Sequence, residues 1–138
     1  MDERVEKWLF DIRMAIDEVN GYFDDGTRNF FLFQKNQMLK KAVERNLEII
    51  GEAMSRILAK APDIPIGDAR KIVNLRNQVI HAYDSISDEN IWAIIVNHLP
   101  TLKKDVDKLL PLVCMTAMTC QAAQLLTGLF HLRFALLV

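Results

Sequence analysis

Eight consecutive residues, Arg76-Asn77-Gln78-Val79-Ile80-His81-Ala82-Tyr83, bring a permanent cation, an amide, an imidazole and a phenol together. At about 100° per residue on a helix, Asn77 and His81 share a face, and Arg76 lines up with Tyr83. Arg76 and His81 stand roughly 140° apart, a gap that a long guanidinium stem can close. Arginine offers a fixed fork of donors suited to phosphate. A neutral histidine can take up a proton and return it near neutral pH. An asparagine can orient the imidazole or donate to an oxyanion. Such a set matches metal-free cleavage of RNA, in which a base activates the ribose 2′-OH and cations stabilise the phosphorane. The same residues also fit a structural role: Arg76 paired with a carboxylate, His81 at a helix end and Tyr83 in a core. Residue chemistry alone leaves both open.

The elements that must position this strip are helical. Val5, Trp8, Leu9, Ile12, Ala15, Ile16, Val19, Tyr22 and Phe23 recur at three- and four-residue steps, predicting an amphipathic helix over about 2–23. Asp24-Asp25-Gly26-Thr27 ends it. Phe30, Phe31 and Phe33 lead into a longer second helix running to about Ala59, with a stripe of Leu39, Ala42, Val43, Leu47, Ile50, Ala53, Met54 and Ile57. Pro62 and Pro65 punctuate the next loop. The third helix, about 68–83, carries the polar strip opposite Ile72, Leu75 and Val79. Ser87 before Asp88 and Glu89 reads as the cap of a fourth helix bearing Ile91, Ile95, Leu99, Leu102, Val106 and Leu109. Pro100 is expected to kink it. The fold class is therefore all-α: an antiparallel four-helix bundle with an additional C-terminal helix or extension.

Composition narrows the function classes. The chain has 138 residues, 51% hydrophobic and 25% charged, the profile of one globular domain. Its net charge of −1 supplies no basic field over the whole protein, so any contact with RNA must rest on a local patch. Glu44, Glu48 and Glu52 form a ladder on the second helix. A di-iron bundle would need Glu-x-x-His pairs, and no glutamate here has a histidine three residues on. Ion pairs with Arg45 and Arg56 on a solvated face fit the ladder better. Cys114 and Cys120 show neither CxxC nor zinc spacing, no metal site is expected, and a reduced, cytoplasmic setting follows. The start of the chain lacks the apolar stretch of a signal peptide.

The tail is unusual. From Leu109 to Leu132 there is no Asp, Glu, Lys or Arg, a stretch long enough to span a bilayer. Pro111, Thr116, Thr119, Gln121, Gln124, Thr127 and His131 dilute it, so a buried fifth helix or an interface segment fits better than membrane insertion. His98 and His131 read as packing or surface residues.

Arg76-Asn77-x-x-x-His81-x-Tyr83 resembles the Arg-x4-His-x-Tyr signature of HepT-type toxins in the HEPN superfamily. The segment Ala42-Val43-Glu44-Arg45-Asn46-Leu47-Glu48-Ile49-Ile50-Gly51-Glu52-Ala53 resembles that family's second helix, and Ile91-Trp92 through His98-Leu99-Pro100-x-Leu102 its fourth. The likeness covers roughly residues 1–110, the expected HEPN-type bundle. It leaves 111–138 as an apolar extension rather than a separate domain.

The resemblance implies a metal-independent endoribonuclease toxin with no cofactor, acting on RNA rather than DNA, with the tRNA 3′ end or mRNA as substrates. Two subunits of a homodimer, or of a higher oligomer of dimers, would bring their Arg/His motifs together. His81 would then be base or acid, Arg76 would hold the scissile phosphate and Asn77 would orient one of them. The implied partner is an MntA-type nucleotidyltransferase antitoxin that places AMP on Tyr83. Arg45 or Lys71 is expected to join Arg76 in one cleft. Other readings are a non-catalytic, nucleotide-binding partner of a nucleotidyltransferase, an oligomerising bundle and, least favoured, a tail-anchored membrane protein.

Overall fold

The structure is a computed structural model that describes residues 1–23, 28–81 and 86–110. Its helices are α1 (Glu3–Gly21), α2 (Phe30–Lys35), α3 (Gln37–Lys60), α4 (Ala69–His81), α5 (Asp88–Ala93) and α6 (Leu99–Leu109), with a π-turn at Ile94–His98 joining the last two. Residues 1–108 belong to one compact unit. The described residues contain no strand, and the fold class is the expected one: an antiparallel bundle whose four long elements are α1, α3, α4 and the continuous α5–α6 rod.

Polar contacts fix the directions. Asp2, which caps α1, accepts from Lys60 Nζ at the far end of α3 at 2.8 Å, so α1 and α3 run antiparallel. Arg76 on α4 reaches Glu52 on α3. Gly67 N–H at the start of α4 points to Asp105 of α6 at 3.4 Å, and Lys103 of α6 pairs with Asp17 of α1. Lys60 also holds the Asp2 carboxyl below its usual range, chiefly through that hydrogen bond.

The apolar stripes make the core. Val5, Leu9, Ile12, Ile16 and Val19 of α1 meet Val43, Leu47, Ile50, Met54 and Ile57 of α3, with Ile91, Ile95, Leu99, Leu102 and Val106 closing the other side; all are buried. Each such side chain contributes about 1.5–3 kcal/mol when fully buried. One polar residue is buried among them: Asn46 donates to Tyr22 Oη at 3.0 Å and to the Ala42 carbonyl at 3.2 Å.

Two details differ from the sequence reading. The long second helix is broken at Asn36, whose backbone is extended and whose side chain accepts from Leu39 N–H at 3.1 Å. An asparagine competes with the helix backbone for hydrogen bonds and so becomes a cap. The break turns Phe33 inward against Phe23 and Trp92, at ring-centroid distances of 6.4 and 5.5 Å. Pro100 brings a π-turn rather than a simple kink. Proline has no N–H to donate to the carbonyl four residues back. The turn before it widens, with Leu99 N–H reaching Ile94 O and Thr101 Oγ1 donating to Asn97 O at 3.2 Å. The expected turn at 24–27 and the apolar extension at 111–138, with Cys114, Cys120 and His131, lie outside the described residues. No helix among the described residues is long and apolar enough to cross a membrane.

The aromatic cluster makes a stability test. Phe33→Ala should cost about 3–5 kcal/mol, the usual range for a phenylalanine deleted from a packed core. Urea unfolding followed by tryptophan fluorescence reads it, and a loss below about 1 kcal/mol would mean that the cluster is not part of the cooperative core.

Candidate functional site

α4 is the least buried of the long helices. Only Ala69 is fully buried, and Ile72, Leu75, Val79 and Ile80 are half-covered. Core burial therefore does little to fix its height and rotation. A close contact with α3 does this instead. A Cβ built on Gly51 would stand 2.2 Å from Arg76 Cβ and 2.8 Å from Arg76 Cγ, separations no side chain tolerates. Glycine inside a helix costs about 1 kcal/mol relative to alanine; here it lets the two backbones approach at the level of Arg76.

The next residue along α3 completes the seam. Arg76 Nη2 lies 2.7 Å from Glu52 Oε2, while Arg56 Nε donates to Glu52 Oε1 at 3.1 Å, so one carboxylate serves two arginines. Arg76 Nη1 points to Asn77 Oδ1 at 3.4 Å, and its Nε, shut off from solvent, has no hydrogen-bond partner among the described residues. The guanidinium is thus held from one side, with other protons left for a ligand.

Arg76 faces a cleft of about 420 Å³ across the outer side of α3, with Trp8 and Asp11 of α1 on one wall and Arg76 and Ile80 of α4 on the other. Arg45, Glu48, Ile49, Glu52 and Arg56 form its floor. Arg45 is thus in the same cleft as Arg76, paired with Glu48 at 3.0 Å. Lys71 is not. It lines a different hollow, of about 450 Å³, between α4 and the α5–α6 rod. There it stands 3.0 Å from Asp68 and is the largest cause of that carboxyl's lowered pKa, with His98 a smaller one. Asn77 and His81 are exposed on the neighbouring face of α4, with His81 its last residue. Tyr83 lies outside the described residues. Among the described residues no group of three or more His, Cys, Asp or Glu side chains is placed to hold a metal ion.

His81 is thus exposed on the last turn of α4, five residues after Arg76, which lines the cleft. The family profile described as Ribonuclease HepT-like matches residues 12–109, which takes in every element just described from the middle of α1 to the end of α6. The chain belongs to the HepT-like ribonuclease family. The HepT-like bundle is also similar to two Methanocaldococcus jannaschii proteins that bear RNase names. One is 32% identical over 110 residues, 77% of this chain and 87% of the relative; the other is 36% identical over 107 residues, 75% and 94%. A Thermococcus cleftensis protein bearing the name ribonuclease HepT is 32% identical over 106 residues, 74% of this chain and 92% of its own length. No solved structure matches the chain. By family, this HepT-like protein is an enzyme of the endoribonuclease class.

Three residues at or beside the cleft, Gly51, Glu52 and Trp8, lie outside the HepT-like motif itself. Gly51 had a visible signal, a glycine in the middle of a strongly periodic helix, which calls for a packing reason. Glu52 had a weaker one. Its spacing predicts the pair with Arg56, but only the fold brings it to Arg76. Trp8 belongs to the α1 stripe by periodicity, yet sits at the edge of that stripe and lines the cleft.

Gly51→Ala should destabilise this HepT-like bundle by about 1–2 kcal/mol. Overpacking costs about 1–3 kcal/mol and the better helix propensity of alanine recovers up to about 1. Gly67→Ala, where a Cβ would meet nothing within 4 Å, is the control. Urea midpoints that rank the two variants the other way round would show that α3 and α4 do not approach so closely at Arg76.

Proposed function

We propose that this protein is a metal-independent endoribonuclease toxin that cuts RNA at a composite site in a homodimer. The observation that carries the reading is the pairing of a cleft-bound Arg76 with an exposed His81 on one helix of a HepT-like bundle. One imidazole takes the proton of the ribose 2′-OH. The 2′-oxygen attacks phosphorus, Arg76 stabilises the charge on the phosphorane, and the departing 5′-oxygen takes a proton from a second imidazole. The products are a 2′,3′-cyclic phosphate and a 5′-OH, and no metal is consumed or needed in this sequence of steps. Asn77, next to Arg76 and one turn before His81, orients one or the other.

Base and acid require two imidazoles. Among the described residues the other histidine, His98, stands beside Asp68 at 3.8 Å on the other hollow, away from the cleft. The reading assigns the second imidazole to a second subunit's copy of the same motif. The cleft of one subunit is lined by Arg45, Arg56 and Arg76 and by Asp11, Glu48 and Glu52, so its formal charges cancel. Two clefts facing each other would concentrate both copies of Arg76 on one strand.

The regulatory reading follows the family. A nucleotidyltransferase antitoxin of the MntA type places AMP on Tyr83, two residues beyond His81, adding bulk and a phosphate charge beside the motif. tRNA is the substrate class favoured. The site of action is cytoplasmic, which fits a protein with two cysteines in no pairing pattern. Residues 1–110 form the catalytic bundle and 111–138 an appended extension, a boundary supported by the family match ending at 109.

Purified tRNA incubated with EDTA tests the reading, after intact-mass analysis has shown that the chain carries no AMP. The unmodified protein should cleave, and His81→Ala should lower the rate by about 10²–10⁴, the usual contribution of a positioned proton-transfer group. Intact RNA with folded, unmodified protein would replace this reading with that of a non-catalytic nucleotidyltransferase partner.

A further inference from the structure

We propose that Glu52 is a positioning residue: it fixes the guanidinium of Arg76 for the chemical step while competing with the RNA phosphate for it. The proposal rests on the ribonuclease reading above and adds to it a group outside the Arg/His motif.

The geometry argues for this role in three ways. Both oxygens of Glu52 are engaged, Oε2 by Arg76 at 2.7 Å and Oε1 by Arg56 at 3.1 Å, so the carboxylate cannot swing without releasing one of them. The contact lies at the level where Gly51 lets α3 and α4 approach, so the Arg76 stem leaves its backbone against a fixed wall. Arg76 is the more enclosed partner, its side chain 30% exposed against 57% for Arg56. Arg56 thus balances the charge of Glu52 from solvent while Arg76 is aimed into the cleft.

The placement has a cost for binding. A phosphate approaching Arg76 meets a carboxylate already on the same guanidinium. Half-exposed ion pairs of this kind contribute little to folding, so stability gives a weak reason for the arrangement. Alignment gives a stronger one. Misplacing a group by about 1 Å costs on the order of 10²-fold in rate, and a free arginine stem samples far wider positions than that. Removing the carboxylate should therefore act in opposite directions on binding and on chemistry.

The test uses the full chain, Glu52→Gln against wild type, with Glu89→Gln on exposed α5 as the control for net charge. Binding is measured with a 2′-deoxy oligonucleotide, which cannot be cleaved, across a salt series. Cleavage is measured with the matching RNA in EDTA. Glu52→Gln should bind the oligonucleotide about 5-fold more tightly, the effect of removing one unit charge about 4 Å from a phosphate in water. Its salt dependence should steepen by about 0.7–1.4 in log–log slope, as one or two arginines are released to phosphates on a single strand. Its kcat should fall about 10–100-fold with KM unchanged or lower, while the thermal midpoint stays with wild type. Glu52→Asp keeps the charge but shortens the reach, so it should lose kcat without the gain in binding.

An unchanged kcat in Glu52→Gln overturns the proposal, and so does a parallel loss of binding, kcat and thermal stability, which would make Glu52 a structural residue. If wild type cleaves no RNA, the ribonuclease reading fails by itself. The binding series then still decides whether Glu52 guards a phosphate site on Arg76: tighter, more salt-sensitive binding supports it, and no change ends it.

Discussion

The seam between α3 and α4 is the constraint on which the site depends. Three features make it: the missing side chain of Gly51, the carboxylate of Glu52 beside it and the stem of Arg76 packed against them from α4. A bundle helix ordinarily takes its place from the apolar residues it buries. α4 buries only Ala69 completely, so its apolar face specifies a broad docking direction rather than a height and rotation. Close approach at Gly51 supplies what the core does not. The Glu52 carboxylate meets the Arg76 guanidinium at that same level.

That economy leaves a single subunit electrostatically incomplete. Three arginines and three carboxylates line one cleft, and the whole chain carries a net charge of −1. Near a protein surface such charges largely cancel beyond a Debye length of about 10 Å. Affinity for an anionic strand must come from summing clefts, from freeing arginines as the phosphate arrives, or from both. The carboxylates hold the arginine side chains, Glu48 on Arg45 and Glu52 on both Arg56 and Arg76. The separation of the two hollows adds to this. Lys71 and His98 are committed to Asp68 on the far side of α4, so they contribute nothing to the cleft that holds Arg76.

Much of this architecture was legible in the residues because periodicity reports burial directly. The stripes from Val5 to Val19, Val43 to Ile57 and Ile91 to Val106 are the buried faces, and Ser87 caps α5 with its Oγ accepting from Asn90 N–H at 3.3 Å. What escaped the reading is where a local backbone preference overrides the stripe. Asn36 ends one helix and starts another within two residues, a break set by its own side-chain cap rather than by the spacing of the apolar residues around it. Pro100 announced a disturbance, but a π-turn and a kink satisfy the missing N–H equally well from the sequence side. Asn46 is buried at a position the stripe gives to apolar residues, because Tyr22 folds over to meet it.

The site was legible by a different rule. Arg76, Asn77 and His81 stood out because unusual chemistry was concentrated in one short stretch, and Arg45 was expected beside Arg76, whereas Glu52 and Trp8 reach the Arg76 cleft from two other helices without a signal of their own for it. Residues that act together across helices share no spacing in the chain. Only packing decides which face of α3 turns toward α4, and a rotation of that helix by one residue, about 100°, would send Glu52 elsewhere. The Glu44, Glu48 and Glu52 ladder shows the difference. Its three members look equivalent in sequence, yet only Glu52 follows the glycine that brings α4 close, and only Glu52 meets the arginine of the motif. The role of a charged residue here is therefore set by its neighbour without a side chain.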